Sequence, residues 1–238
     1  MARAFARRVL LPELMDTEPC GPDEFRRCLV DLSTVNRLTL AYRPTLHFLA
    51  AAVRSLPPGR ALRILDVGGG YGDALRRIDR WAARRGVTLE MTSVDLSPWA
   101  RAAGETAPPT RQPIRWVTSD IFEYEPPEPP DVVISSLFTH HLDDPAVVRF
   151  LRWMEAHARL GWFVNDLQRH PLPYRVFRVW SRAARWHRFV QHDGPVSIGR
   201  AFTRRDWRAL LAQAGLNDRT ARIRWWMPFR LCISRFKP

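Results

Sequence analysis

Lysine is almost missing from this chain: of 37 basic residues, only Lys237 is not an arginine. Set against 24 acids the balance is +13, a charge carried nearly all on guanidinium groups. A bias of this kind follows from the base composition of a genome as readily as from a polyanionic partner or an anionic membrane surface. Cysteine is scarce as well. Cys20, Cys28 and Cys232 are odd in number and lack metal-ligand spacing, which leaves no basis for a disulfide framework and points to free thiols in a reducing cytoplasm. No apolar run reaches the ~18 residues of a membrane span. The basic, briefly apolar stretch from Met1 to Pro12 lacks a long apolar segment with a small-residue cleavage site, so no signal peptide is expected. No internal repeat is visible. What remains, at 238 residues with 46% hydrophobic and 26% charged side chains, is one α/β domain with a modest addition.

The stretch Ile64-Leu65-Asp66-Val67-Gly68-Gly69-Gly70-Tyr71-Gly72-Asp73 organises the rest. An apolar run ends in an acid, breaks into glycines and gives way to a helical pattern carrying Leu75 and Ile78. Strand, tight turn and helix open a nucleotide-binding βαβ unit, and glycine admits the positive φ and close ligand approach that such a turn needs. The dinucleotide fingerprint requires a third glycine three residues after the second, and Gly68-x-Gly70-x-Gly72 lacks it.

Ahead of this turn, Phe25, Cys28, Leu29, Leu32 and Val35 recur at helical spacing, and Pro44 suggests a second helix that Pro57-Pro58-Gly59 stops. Residues 1–57 are therefore expected to be a helical cap over residues 58–238. Asn36-Arg37 and Tyr42-Arg43 are its candidate cleft-facing groups, with Arg43 the choice for substrate. Thr88 to Asp95 and Ile114 to Asp120 predict two further strands that end in acids. Asp95 can accept from ribose hydroxyls. Ligands of open α/β sheets bind outside the carboxyl ends of the strands, where Asp66, Asp95 and Asp120 all fall.

Asp66-x-Gly68-x-Gly70-x-Gly72, with acids closing three successive strands, resembles the class I S-adenosylmethionine (SAM) methyltransferases over roughly residues 60–165. The resemblance implies a Rossmann-like α/β fold with a seven-stranded sheet, a terminal antiparallel hairpin near residues 221–236, the N-terminal cap and an inserted lid. It implies SAM as cofactor, held by Asp66, Gly68, Gly70, Gly72, Asp95, Leu96, Asp120, Ile121 and Ser136. The exit of the fourth strand, Leu137-Phe138-Thr139-His140-His141-Leu142-Asp143-Asp144-Pro145, is similar to the ubiquinone-biosynthesis type of small-molecule methyltransferase. It lacks the Asn/Asp-Pro-Pro-aromatic motif that holds exocyclic amines of bases. His141, and after it His140, is the expected general base for a phenolic acceptor.

Asn165-Asp166 invites comparison with the magnesium site of catechol methyltransferases. The fourth strand ends in serines and not in an acid, so no metal is expected there. Asp166, His170 and His192 remain candidates for substrate contact.

Arg175, Arg178, Arg182, Arg185 and Arg188 recur at spacings of three and four, which predicts one arginine-striped helix from Tyr174 to Val190 in a lid at about residues 169–200. Ten arginines against two acids in residues 169–208 put +8 of the net charge there. Residues 192–197 are expected as a turn, and Thr203 to Asp206 as a capping box. The expected partner is a small aromatic or lipidic substrate, with peripheral membrane contact as an option and nucleic acid disfavoured. An RNA methyltransferase and a non-catalytic SAM-binding protein are the competing readings.

Overall fold

Residues 5–19, 21–217 and 219–237 are described by the structure, a computed structural model. Met1 to Ala4, from the basic start, and the thiol of Cys20 lie outside the described residues.

The strands are β1 (Leu62–Val67), β2 (Leu89–Asp95), β3 (Ile114–Thr118), β4 (Val132–Ser136), β5 (Gly161–Leu167), β6 (Arg222–Trp226) and β7 (Arg230–Phe236). They form one sheet in the order β3-β2-β1-β4-β5-β7-β6. The first five pair in parallel, and β7 lies antiparallel between β5 and β6. This is the expected class I methyltransferase sheet with its terminal hairpin. The central strands read as unbroken apolar runs because both faces are covered, yet the period of two survives in the packing. Leu62 and Ile64 enter one core with Leu75, Ile78 and Phe48, while Leu65 and Val67 enter the other with Phe150, Met154 and Trp207.

The helices are α1 (Leu14–Thr17), α2 (Pro22–Leu38), α3 (Tyr42–Arg54), α4 (Asp73–Ala83), α5 (Pro98–Glu105), α6 (Asp144–His157), α7 (Pro171–Ala183), α8 (Arg188–Arg200) and α9 (Arg204–Gln213). Of the N-terminal pair, α3 is built into the core through Phe48, Leu49 and Ala52. Only α2, which packs on α5 and α8, lies across the cleft side. Asp143 caps α6 by accepting from the Ala146 N–H at 2.8 Å, and Thr203 with Asp206 forms the expected capping box of α9.

Two expectations are corrected in the lid. The single helix from Tyr174 to Val190 is a helical hairpin, broken where Arg185 takes φ 54°. There the His187 N–H donates to Asp31 on α2 at 2.7 Å. Residues 192–197 are not a turn: they lie inside α8, with Pro195 in the helix. Burial of Phe189, Val190 and Ile198 outweighs the breaker signal of Gly194-Pro195.

Candidate active site

The glycine turn joins β1 to α4 and carries the cofactor side. Gly70 takes φ 52°, a conformation that a side chain would strain. Its N–H donates to Asp95 Oδ2 at 2.8 Å, and Asp95 Oδ1 accepts from the Ser97 N–H at 2.9 Å. The acid at the end of β2 thus ties the turn after β1 to the start of α5. Burial raises the Asp95 carboxyl above its usual range, against the pull of those two N–H groups and of His141. Beyond β3, Asp120 Oδ1 accepts from the Phe122 N–H at 2.9 Å.

Gly68, Gly70, Asp95, Leu96, Asp120, Ile121 and Ser136 line one cavity of about 1040 Å³. Asp66 and Gly72 do not, and direct cofactor contact is set aside for both. Asp66 is sealed beneath the turn at 1% exposure, and its Oδ2 has no hydrogen-bond partner. Burial first, then Asp73 and Asp95, pushes its carboxyl well above the usual range, so the protonated form is favoured. Gly72 sits at φ 77° where a Cβ would come within 2.6 Å of the Trp116 ring, so it serves the turn and the packing of β3.

The residues present fit SAM. A carboxylate offers about four lone-pair positions, so Asp95 retains acceptor capacity beyond its two backbone bonds. Val94, Ile121 and Phe122 give the cavity an apolar wall next to Asp120. Arg230, 3% exposed, lines the same cavity with its Nε bonded to nothing, a cation suited to a carboxylate.

The acceptor side starts where β4 ends. A 3-10 turn, Thr139–His141, places both histidines on the cavity wall. His140 Nδ1 lies 2.7 Å from Oδ1 of Asp166, and the His140 N–H donates to Asp166 Oδ2 at 3.0 Å. The Thr139 hydroxyl donates to the same oxygen. Burial alone would raise the Asp166 carboxyl, but His140, Thr139 and the Leu167 N–H together hold it down at about 2. With Asp166 accepting at Nδ1, a neutral His140 carries its proton there and keeps Nε2 as an acceptor.

Residues from the chain's start complete this side. Arg8 donates to the carbonyls of His140 (3.2 Å) and Leu142 (2.8 Å). From α8, Arg200 donates to the carbonyls of His140 (3.0 Å), His141 (2.8 Å) and Leu11 (3.0 Å). Glu13, 3% exposed, stands 3.8 Å from Nε2 of both His140 and His141. The Ser197 hydroxyl donates to Glu13 Oε1 at 2.8 Å.

None of the four expected substrate residues is among those that line this cavity. Arg43 is exposed on α3. His170 caps α7 by accepting from the Leu172 N–H and stacks on Phe229. His192 is exposed and pairs with Asp193. Asp166 is fully buried and bonds to Thr139, His140 and the Leu167 N–H. Of the cap candidates, Asn36 lines the cavity, while the Tyr42 hydroxyl donates to Asp73 Oδ2 at 2.5 Å. Glu13, Arg8 and Arg200 were missed; the one signal was an acid set between Leu10-Leu11-Pro12 and Leu14-Met15.

A family model described as a methyltransferase domain matches residues 36–221. The chain belongs to that family, and with it to the class I SAM-dependent methyltransferases, for which SAM is the cofactor. No curated protein matches. Among solved structures, human N-acetylserotonin methyltransferase, described in complex with SAM, aligns with a TM-score of 0.65 at 17% identity, covering 99% of this chain and 65% of that one. The plantazolicin methyltransferase BpumL, described with a monoazolic desmethylplantazolicin analogue and S-adenosylhomocysteine, gives 0.63 at 13%, covering 90% and 95%. A putative O-methyltransferase from Nostoc punctiforme gives 0.54 at 15%, covering 93% and 62%. At these identities the likeness is one of fold. No helix among the described residues is long and apolar enough to cross a membrane.

Proposed function

We propose that the protein methylates a hydroxyl, or an activated ring carbon, of a small aromatic, polyketide- or quinol-like molecule. The observation that carries this reading is the His140–Asp166 pair, 2.7 Å apart, whose imidazole lines the cavity that Asp95 and Asp120 also line. SAM supplies an electrophilic methyl on a sulfonium, and its transfer asks for alignment more than for acid or base strength. A phenol ionises near pH ~10, so at neutral pH it gains from a neutral imidazole that takes its proton. Sequence ranked His141 ahead of His140. The orienting carboxylate belongs to His140, which favours that imidazole as base, with His141 beside it at a ring separation of 4.4 Å.

The walls support an aromatic acceptor. Phe25, Trp99, Phe177, Trp180, Phe189 and Phe229 all line the cavity. On α7, Leu172, Val176 and Val179 are exposed at helical spacing beside Arg175, Arg178 and Arg182, a face suited to delivering a lipidic substrate from an anionic surface. An RNA substrate finds no support in this apolar cavity.

The test is incubation with isotopically methyl-labelled SAM and a panel of phenols, quinols and resorcinols, with mass spectrometry of the products. Label on an acceptor oxygen or ring carbon is expected. Label appearing only on structured RNA would overturn the proposal.

A further inference from the structure

We propose that Glu13, His140 and His141 form a transition-metal site, with zinc(II) as the reference ion, on the acceptor wall of the cavity. Their ligating atoms all lie within 4.8 Å of one another. Two imidazoles and one carboxylate suit zinc, cobalt or ferrous iron, whereas magnesium and calcium favour all-oxygen sets. Bonds of about 2.0–2.1 Å at tetrahedral angles put neighbouring donors about 3.3 Å apart. The separations of 3.8 Å from Glu13 to each imidazole would close with small side-chain movements.

The surroundings supply an independent argument. A metal-bound histidine characteristically gives its other ring N–H to a carboxylate, which fixes the tautomer and points the free lone pair at the ion. His140 does this with Asp166 at 2.7 Å. The Glu13 oxygen nearer His140 is held by the Ser197 hydroxyl at 2.8 Å. The backbone carrying both histidines is gripped by Arg200, so two of the donors sit on a fixed turn. A carboxylate at 3% exposure is costly without a cation against it, and a dication between the imidazoles would be one.

The role of the metal rests on the function proposed above. Three protein ligands leave a position open, and His141, 27% exposed, stands on the cavity side of the cluster. A hydroxyl of the acceptor bound there would lose its proton more easily, as metal-bound water does. In the loaded form the imidazoles are ligands; the metal would lower the pKa of the bound hydroxyl, and its proton would pass to solvent water at the cavity mouth.

The test uses full-length protein stripped with a chelator and titrated with Co²⁺ and Zn²⁺, read by visible absorption and by calorimetry without substrate. One ion per chain is expected, with cobalt d–d bands of low-coordinate nitrogen–oxygen ligation. Glu13→Gln and His141→Ala should each weaken binding by at least about 100-fold, and Asp166→Asn by about 10–100-fold. SAM affinity measured on the same preparations should stay within a few-fold, which separates lost ligands from lost fold. Absence of stoichiometric binding by the wild type, or equal binding by both ligand variants, overturns the site. Full methylation by stripped enzyme overturns the metal's role and leaves the methyltransferase assignment standing. A loaded protein that methylates no hydroxylated acceptor counts against that assignment, and the site survives it.

Discussion

The cofactor side of the cavity comes mostly from one stretch, Val67 to Phe122, joined by Ser136 and Arg230, and the contacts within that stretch are largely backbone: the Gly70 and Ser97 N–H groups on Asp95, the Phe122 N–H on Asp120. The acceptor side gathers Glu13 from the chain's start, His140 after β4, Asp166 within β5 and Phe177 and Phe189 from the lid hairpin. Turns and strand ends fix the first set locally. The second set exists only once distant segments pack together. One side is a motif, the other an assembly, and substitutions should separate them.

The largest effect is expected at His140. His140→Ala removes the imidazole, which is the proton acceptor in the metal-free protein and a ligand in the loaded one, and leaves Asp166 buried without its main partner; kcat should fall by about 10²–10⁴. SAM affinity should stay within a few-fold by calorimetry, because no cofactor-side contact is touched. The rate should recover in part at high pH, where a phenolic acceptor ionises unaided. A variant that loses affinity and rate together would break the division between the two sides.

Asp95→Ala is the converse. Charge-assisted hydrogen bonds are worth about 1.5–3 kcal/mol each before water compensates, so SAM affinity should fall at least about tenfold. The loss of the ties to Gly70 and Ser97 adds to this, and thermal melts should show the fold intact. Unchanged affinity would remove Asp95 from the cofactor contacts.

This division also decides what was legible in the sequence. β2 was readable with its boundaries nearly in place, and so were the ends of β1 and β4, because apolar runs ending in Asp or Ser carry local information. β3 was readable too, although it ends at Thr118 and the chain reaches Asp120 as a loop. The lid was half legible. Its arginine spacing runs unbroken through Arg185 and cannot report an elbow set by Asp31, which lies 156 residues from His187 in sequence. A lone acid such as Glu13, in an extended stretch, carries no periodicity, and its meaning depends on His140 and Ser197, which only the fold brings near.

Arg200→Met sharpens the comparison at lower cost. Three carbonyls, those of Leu11, His140 and His141, lose a charged donor. The His140 carbonyl keeps Arg8 at 3.2 Å, so the cost falls on the other two; a buried acceptor left unpaired costs about 1–3 kcal/mol, less where water reaches it. Denaturant melts should show a loss in that range. The histidine turn should loosen, so kcat should fall several-fold while SAM affinity holds. A loss of SAM affinity instead would mean that the chain's N-terminal segment also braces the cofactor side.

The smallest effect is expected where the charge is densest. Arg175, Arg178, Arg182 and Arg185 are exposed on α7 and its elbow, and exposed charges each contribute little to stability. Replacing all four with glutamine should change stability by less than about 1 kcal/mol and leave SAM affinity unaltered, since none of the four lines the cavity. Their long-range field is another matter, because it acts on encounter and is screened within ~10 Å at 0.1 M salt. The wild type should therefore bind anionic vesicles in low salt and release them as salt rises, while the variant should bind weakly throughout. Transfer RNA should follow the same salt dependence without sequence preference or methylated product. Salt-resistant, sequence-selective RNA binding that vanishes in the variant would move the lid from substrate delivery to nucleic-acid recognition, and would set the acceptor side a task for which its aromatic walls are poorly suited.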